Sequence, residues 1–102
     1  MPAYVLVEIA VTDPAAYERY KTLAEASVRA HGGRYLVRGG RRERLEGSRA
    51  AARLVLLEFP SMEQARTWWS SPEYEAARPY RLTSTSGTEM ILLEGYEPPG
   101  RG

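Results

Sequence analysis

One continuous segment, residues 54–74, constrains the fold more than any other part of this chain. It opens with Leu-Val-Leu-Leu-Glu-Phe, an apolar run that is typical of a buried strand. Pro60 cannot continue a central ladder, because it has no backbone N–H. Ser61, with Gln64 three residues later, forms the pattern of a capping box, so a helix begins at once. The segment predicts a strand that leads directly into a helix.

The same kinds of signal predict the other elements. Asp13 can cap a first helix that begins at Pro14, and the glycine pair at 32–33 can end it. We predict strands over residues 3–11, 34–37, 53–59 and 88–95, with 41–45 as a candidate continuation of the second strand and a turn over 47–50. We also predict a second helix from Ser61, its restart at Pro72, its end at Pro79 and a polar loop over 83–87.

The resulting order, β-α-β-β-α-β, is typical of a ferredoxin-like α+β sandwich. In that fold the helices cover one face of a four-stranded antiparallel sheet, here with the expected strand order four-one-three-two. We expect one domain over residues 1–95 and a flexible tail over 96–102.

Three of the predicted strands are apolar on both faces, whereas a half-solvated strand should alternate apolar and polar residues. The runs are residues 5–7, 54–57 and 90–93. Since two helices cover only one face, we infer that a second copy of the sheet covers the other. The sequence therefore predicts a homodimer that packs sheet to sheet.

Composition excludes several classes of function. The net charge of +1 gives no electrostatic basis for binding nucleic acid. No apolar run approaches the roughly 18 residues that span a membrane, and the N-terminus does not resemble a signal peptide, so we expect a cytoplasmic protein. One histidine and no cysteine leave no evident ligand set for a metal, and no motif indicates a cofactor.

A set of motifs occurs in a fixed order over residues 4–95: Asp13-Pro14 with Tyr17 and Tyr20, Gly32-Gly33, Arg38-Gly39-Gly40, Leu45-Glu46-Gly47, Leu57-Glu58-Phe59-Pro60-Ser61, Trp68-Trp69-Ser70-Ser71-Pro72-Glu73-Tyr74, Arg81 and Leu93-Glu94-Gly95. Together these motifs resemble the bacterial family called domain of unknown function 1330. Trp69 departs from the pattern, since tyrosine is expected there more often. The resemblance implies the dimeric α/β-barrel superfamily, which includes cofactor-free monooxygenases, isomerases, haem-handling enzymes and proteins without known activity.

Three glutamates lie in apolar strands, where an unpaired carboxylate is costly: Glu8, Glu58 and Glu94. The expected strand order places Glu58 and Glu94 toward one end of the sheet, with Tyr4 between them. Our hypothesis is that Glu58 pairs with Arg38 or Arg81. Such a pair could orient a ligand, or it could be structural.

His31 and an aromatic cluster are the other candidates. His31 fits a general base or haem ligand, or simply a residue that is stabilised at the C-terminal end of a helix. Trp68 and Trp69 cannot face the same way on a helix, so we expect one on the sheet and the other at a pocket mouth or at the dimer seam. Tyr74 belongs to the same cluster.

Two functions remain open. In the first, the dimer binds a small anionic or aromatic organic molecule, with or without cofactor-independent oxygenase- or isomerase-like chemistry. Arg38 and Arg81 would hold the anionic group, Glu58 would position or accept a proton, and Trp69 and Tyr74 would form the wall. In the second, a non-catalytic homodimer docks a protein partner through an exposed patch. The sequence does not decide whether the protein is an enzyme.

Overall fold

A computed structural model describes residues 1–48 and 52–99. The elements are β1 (Ala3–Val11), α1 (Pro14–Ala30), β2 (Arg34–Arg38), β3 (Arg53–Phe59), α2 (Met62–Trp69), α3 (Pro72–Ser84) and β4 (Thr85–Glu94). All neighbouring strands are antiparallel, in the order β2-β3-β1-β4. This confirms the ferredoxin-like α+β fold and the predicted strand order.

Each helix begins where the sequence places a capping side chain. The Asp13 carboxylate accepts a hydrogen bond from the Ala16 N–H at 3.2 Å, and the Ser61 hydroxyl accepts one from the Gln64 N–H at 3.1 Å. The Gln64 side chain does not complete the capping box. Its amide instead donates to the His31 carbonyl at 3.4 Å, which ties the start of α2 to the end of α1.

Two predicted boundaries are wrong because tertiary packing outweighs a local signal. Pro79 does not stop α3, which continues to Ser84, since Ala77, Arg81 and Ser84 are buried on both sides of the proline. As a result, the predicted polar loop over 83–87 is instead the end of α3 and the start of β4.

The predicted continuation of the second strand over 41–45 is also wrong. Gly39 and Gly40 have φ angles of 68° and 83°, and this left-handed backbone ends β2 at Arg38. The predicted turn over 47–50 lies partly outside the described residues, at 49–50, as does the end of the predicted tail, at 100–102.

The core lies between one face of the sheet and the helices. Alternate residues of β1 and β3 point into it and meet the buried side chains of all three helices: Val5, Val7, Ile9, Val55, Leu57, Phe59, Tyr17, Tyr20, Ala24, Val28, Ala65, Trp68, Tyr74 and Ala77. Gly33 lets the chain pass this core closely, because a Cβ there would lie 2.6 Å from the Phe59 ring. None of the helices in the described part of the chain is long and apolar enough to cross a membrane.

The other face of the sheet is apolar and uncovered in the single chain. A row of cross-strand neighbours runs across all four strands: Val37, Leu56, Leu6 and Ile91. Ile91 is 51% exposed and Val37 is 44% exposed. We call this side of the sheet the open sheet face. The prediction that three strands are apolar on both faces is therefore confirmed.

Candidate functional site

A groove of about 310 Å³ lies between α2 and β4. We call it the Trp69 groove. Its lining is mostly apolar: Val5, Ala65, Arg66, Trp68, Trp69, Met90 and Leu92. The groove exists because α2 has only eight residues and α3 packs mainly against α1, so the helix-facing side of β4 is only partly covered. Its volume lies at the lower end of the range for small-molecule sites, which is roughly 300–1,000 Å³.

Trp68 forms the floor of the groove and belongs to the core. Its side chain is 2% exposed, and its ring centroid lies 4.5 Å from that of Tyr74 and 5.3 Å from that of Phe59. The indole N–H donates to the Ser27 hydroxyl at 3.0 Å, so the buried polar atom is satisfied. Trp68 is therefore held rigidly.

Trp69 forms the wall of the groove and stays 42% exposed. The Arg78 guanidinium lies 4.5 Å from its ring centroid, and an Nη of Arg78 donates to the Trp69 carbonyl at 2.9 Å. The Tyr74 ring packs near it at a centroid distance of 5.4 Å. This confirms the prediction that one tryptophan packs on the sheet, and it places the other at a pocket mouth. Trp69 is thus an aromatic surface that is fixed before any ligand arrives.

Arg66 is the charged residue of the groove. It lies three residues before Trp69 on α2, so the two side chains share a helix face. Arg66 makes no ion pair with another described residue. Its guanidinium is therefore available to an anionic group beside the Trp69 ring.

Arg38 lies in a different place, a cleft between α1 and the β2–β3 edge of the sheet. We call this the tyrosine cleft, and it is lined in part by Tyr17, Tyr20, Lys21, Tyr35, Arg38 and Arg53. Arg38 donates to the Glu25 carboxylate at 2.8 Å and lies 4.3 Å from the centroid of the Tyr35 ring. The hydrogen bond from Arg38 holds the pKa of Glu25 below its usual value, and burial raises the pKa of Tyr35 to about 12. The enclosed volume is about 30 Å³, too small for a whole organic molecule.

Tyr74 and Arg81 lie in the core rather than on a pocket wall. The Arg81 Nε donates to the Tyr74 hydroxyl at 3.1 Å, and that hydroxyl is 2.9 Å from the hydroxyl of Tyr20. Tyr74 is fully buried and Arg81 is 7% exposed. Burial, followed by the neighbouring Tyr74, raises the pKa of Tyr20 well above its usual value. These three side chains satisfy one another, which is the ordinary requirement for buried polar groups.

Glu58 lies on the open sheet face. It accepts a hydrogen bond from the Arg34 Nε at 2.6 Å, because β2 places Arg34 directly opposite it. The predicted pairing with Arg38 or Arg81 is wrong, since both of those arginines lie on the helix side of the sheet. Tyr4 does lie opposite Glu58, whereas Glu94 lies opposite Ala3 and so faces the other side.

His31 caps the C-terminal end of α1. Its Nε2 lies 3.0 Å from the Glu73 carboxylate, and this hydrogen bond lowers the pKa of Glu73. The pair joins α1 to the start of α3. Neither His31 nor Glu58 lines the Trp69 groove.

The structure does not bring the predicted site residues together. Of the six predicted site residues, only Trp69 lines the Trp69 groove. The five that do not line it are Glu58, His31, Arg38, Tyr74 and Arg81. The sequence reasoning missed Arg66 and Met90. The three-residue spacing between Arg66 and Trp69 on a predicted helix was a signal that could have found the first of them.

The family model described as a domain of unknown function (DUF1330) matches residues 2–96, so the chain belongs to this family. This confirms the resemblance noted from the motifs. The search of curated proteins found no significant match.

Solved structures share the fold at low sequence identity. A protein of unknown function from Rhodopseudomonas palustris is 18% identical, with a TM-score of 0.79 over 95% of this chain and 84% of that one. SnoaB, a cofactor-independent oxygenase from Streptomyces nogalater, is 14% identical, with a TM-score of 0.66 over 98% of each chain. A dimeric ferredoxin-like protein of unknown function from Jannaschia sp. CCS1 is 17% identical, with a TM-score of 0.64 over 93% of this chain and 100% of that one. At these identities the similarity shows the fold alone.

Proposed function

We propose that this protein is a homodimer that binds a small aromatic molecule with an anionic group in the Trp69 groove of each subunit. One observation carries the proposal: a groove of about 310 Å³ combines a half-exposed, fixed indole with a guanidinium that has no ion pair among the described residues. The indole offers a stacking surface for an aromatic ring. Arg66 offers a charged hydrogen-bond donor for a carboxylate or a phenolate.

The groove supports binding better than it supports chemistry. Among its described lining residues there is no carboxylate, imidazole or phenol that could move a proton. The two residues predicted to move a proton lie elsewhere: Glu58 is on the open sheet face, and His31 is at the end of α1. Oxygenase- or isomerase-like chemistry of the kind implied by the family resemblance is therefore not part of the proposal.

The open sheet face is the structural basis for proposing a dimer. Its centre is apolar across all four strands, and charged residues lie at its ends, with Arg34 and Glu58 at one end and Glu89 at the other. An apolar centre with a charged border fits an isologous contact with a second copy. The protein of the same fold from Jannaschia is described as dimeric, which supports a dimer of this chain as well. A different protein docked on this face is the alternative, and it would leave the purified chain monomeric.

Isothermal titration with 1-naphthoate tests the binding site. Naphthoate carries one aromatic ring system and one carboxylate, so it matches both features of the groove. We expect measurable binding by the wild type, and an affinity at least about tenfold lower for Trp69→Ala, since the stacked ring contributes roughly 1 kcal/mol in addition to its buried area. Tyr96→Ala is the matched control, because Tyr96 is an aromatic residue that is 81% exposed and outside the groove.

A second variant tests the location. Leu92→Trp places a large side chain inside the groove, so it should abolish naphthoate binding while the circular dichroism spectrum and the oligomeric state stay those of the wild type. Naphthoate binding that survives this substitution, or that is absent from the wild type, would refute the proposed site.

A further inference from the structure

The tyrosine cleft is lined by three cations, and two of them pair with a carboxylate of a described residue. Arg38 is bound to Glu25, and Lys21 is 3.0 Å from Glu18. The third cation, Arg53, makes no ion pair with any described residue.

The Arg53 side chain is held in place although no described residue forms an ion pair with it. Its guanidinium carbon lies 5.4 Å from the centroid of the Tyr17 ring. On another side it lies against Gly39, where a Cβ atom would collide with the guanidinium. Gly39 is itself fixed, since its N–H donates to the Leu54 carbonyl at 2.9 Å. The loop that follows β2 is therefore shaped to admit this guanidinium.

The Nε of Arg53 is buried and has no hydrogen-bond partner among the described residues. A buried donor on a charged group is costly unless an acceptor meets it. Tyr17, Tyr20 and Tyr35 also line the cleft, and burial raises the pKa of Tyr35 to about 12, so that phenol carries no negative charge at physiological pH. No described residue therefore supplies an acceptor to the Arg53 Nε or a counter-charge to its guanidinium.

We propose that Arg53 binds the carboxylate group of a small organic acid in the tyrosine cleft. The planar guanidinium matches the plane of a carboxylate. The enclosed volume of about 30 Å³ admits such a head group but not the rest of a larger molecule. This site is separate from the Trp69 groove, and Trp68 lies between the two as a wall of both.

Nitrogen-15 NMR of the arginine Nε–H resonances tests the proposal, with acetate as the probe. We expect the Arg53 resonance to move with acetate in a saturable way, and to stay in place with chloride or phosphate at the same ionic strength. A response to all three anions alike would mean only nonspecific screening, and it would overturn the proposal. An Arg53 resonance that does not respond to acetate would overturn it as well.

Variants separate this site from its surroundings. Arg53→Gln should weaken acetate binding at least about tenfold, because it removes the charge-assisted hydrogen bond, and Arg53→Lys should restore part of the affinity. Arg44→Gln is the matched control, since Arg44 is an exposed arginine outside the cleft. Should Arg53→Gln fail to fold, the wild-type titration still decides the question.

The Leu92→Trp variant distinguishes this inference from the proposed function. It fills the Trp69 groove and does not touch the tyrosine cleft. We expect it to lose naphthoate binding at the groove and to keep the acetate response of Arg53. Loss of both responses together would overturn the proposal that Arg53 forms a site separate from the Trp69 groove.

Discussion

Replacing Tyr74 with phenylalanine removes a single oxygen atom from the core of the protein. That oxygen accepts a hydrogen bond from the Arg81 Nε at 3.1 Å and lies 2.9 Å from the Tyr20 hydroxyl. Since Tyr74 is fully buried and Arg81 is 7% exposed, water has little access to replace the lost acceptor. The substitution therefore removes the hydrogen-bond partner of the charged Arg81 Nε–H and of the Tyr20 hydroxyl.

The Tyr74 hydroxyl also donates to the Met90 Sδ at 3.8 Å, but this bond to sulfur is weak, so the expected loss of stability follows from the other two bonds. A hydrogen bond to a charged group contributes roughly 1.5–3 kcal/mol and a neutral one about 1 kcal/mol, so Tyr74→Phe should lower the free energy of unfolding by about 2–4 kcal/mol. For a domain of this size that corresponds to a fall in Tm of roughly 10–25 °C. The assay is urea unfolding, with all variants at the same protein concentration because stability and dimerisation are linked.

Tyr80→Phe provides the control. Tyr80 is 36% exposed and its hydroxyl bonds to no described residue, so the expected change is within about 0.5 kcal/mol. The account also expects Tyr74→Phe to bind naphthoate as the wild type does, at temperatures where it is folded. A loss of stability below about 1 kcal/mol, or weaker naphthoate binding with unchanged stability, would refute the assignment of Tyr74 to a structural network.

Three further predictions concern the dimer, the core and alkaline pH. Ile91→Glu should raise the dimer dissociation constant by about a thousandfold or more, because each subunit then brings a carboxylate into an apolar contact; analytical ultracentrifugation measures this. Ser27→Ala leaves the buried Trp68 indole N–H without its acceptor, so urea unfolding should show a loss of about 1–3 kcal/mol, and a neutral result would contradict the assigned bond. Because burial raises the pKa of Tyr35 to about 12 from 10.0, its contribution to stability is complete below pH 10 and is lost as pH rises from 10 to 12. Unfolding midpoints across that range should fall more steeply in the wild type than in Tyr35→Phe.

Much of the fold could be predicted from local signals. Asp13, Pro14 and Ser61 act within a few residues of their own position, and the structure uses each of them as the sequence suggests. The order of the elements likewise predicts the strand order, and the apolar pattern of the strands predicts the open sheet face. Pro79 shows the limit of local signals. The helix α3 continues through this proline because packing against α1 offsets the lost backbone hydrogen bond, and that packing joins residues far apart in the sequence.

The candidate site was less predictable because it depends on the register between neighbouring strands and on how much of the sheet the helices cover. Glu58 pairs with Arg34 through the β2–β3 register, and an irregularity between Tyr35 and Val37 then shifts the rest of β2. The groove depends on how much of β4 the short helix α2 leaves uncovered. Neither quantity follows from spacing along the chain. The sequence could predict that the two tryptophans face different ways, whereas the structure was needed to show that Trp68 is the core residue and Trp69 the groove residue.

The six predicted site residues lie in five environments, since Trp69 lines the Trp69 groove and the other five lie elsewhere. Arg38 is in the tyrosine cleft, Tyr74 and Arg81 form a core network, Glu58 is on the open sheet face, and His31 joins α1 to α3. A sequence identifies polar residues that must be satisfied. It does not show whether a neighbour in the fold or a ligand satisfies them.

Native mass spectrometry in the presence of 1-naphthoate reports the oligomeric state and the bound molecule together, and so tests both halves of the proposed function in one experiment. We expect a species with twice the 11.4 kDa chain mass and one naphthoate per subunit. We also expect Ile91→Glu to shift this species to the single-chain mass. A wild-type protein that is monomeric, or a dimer that retains no naphthoate, would contradict the proposed function.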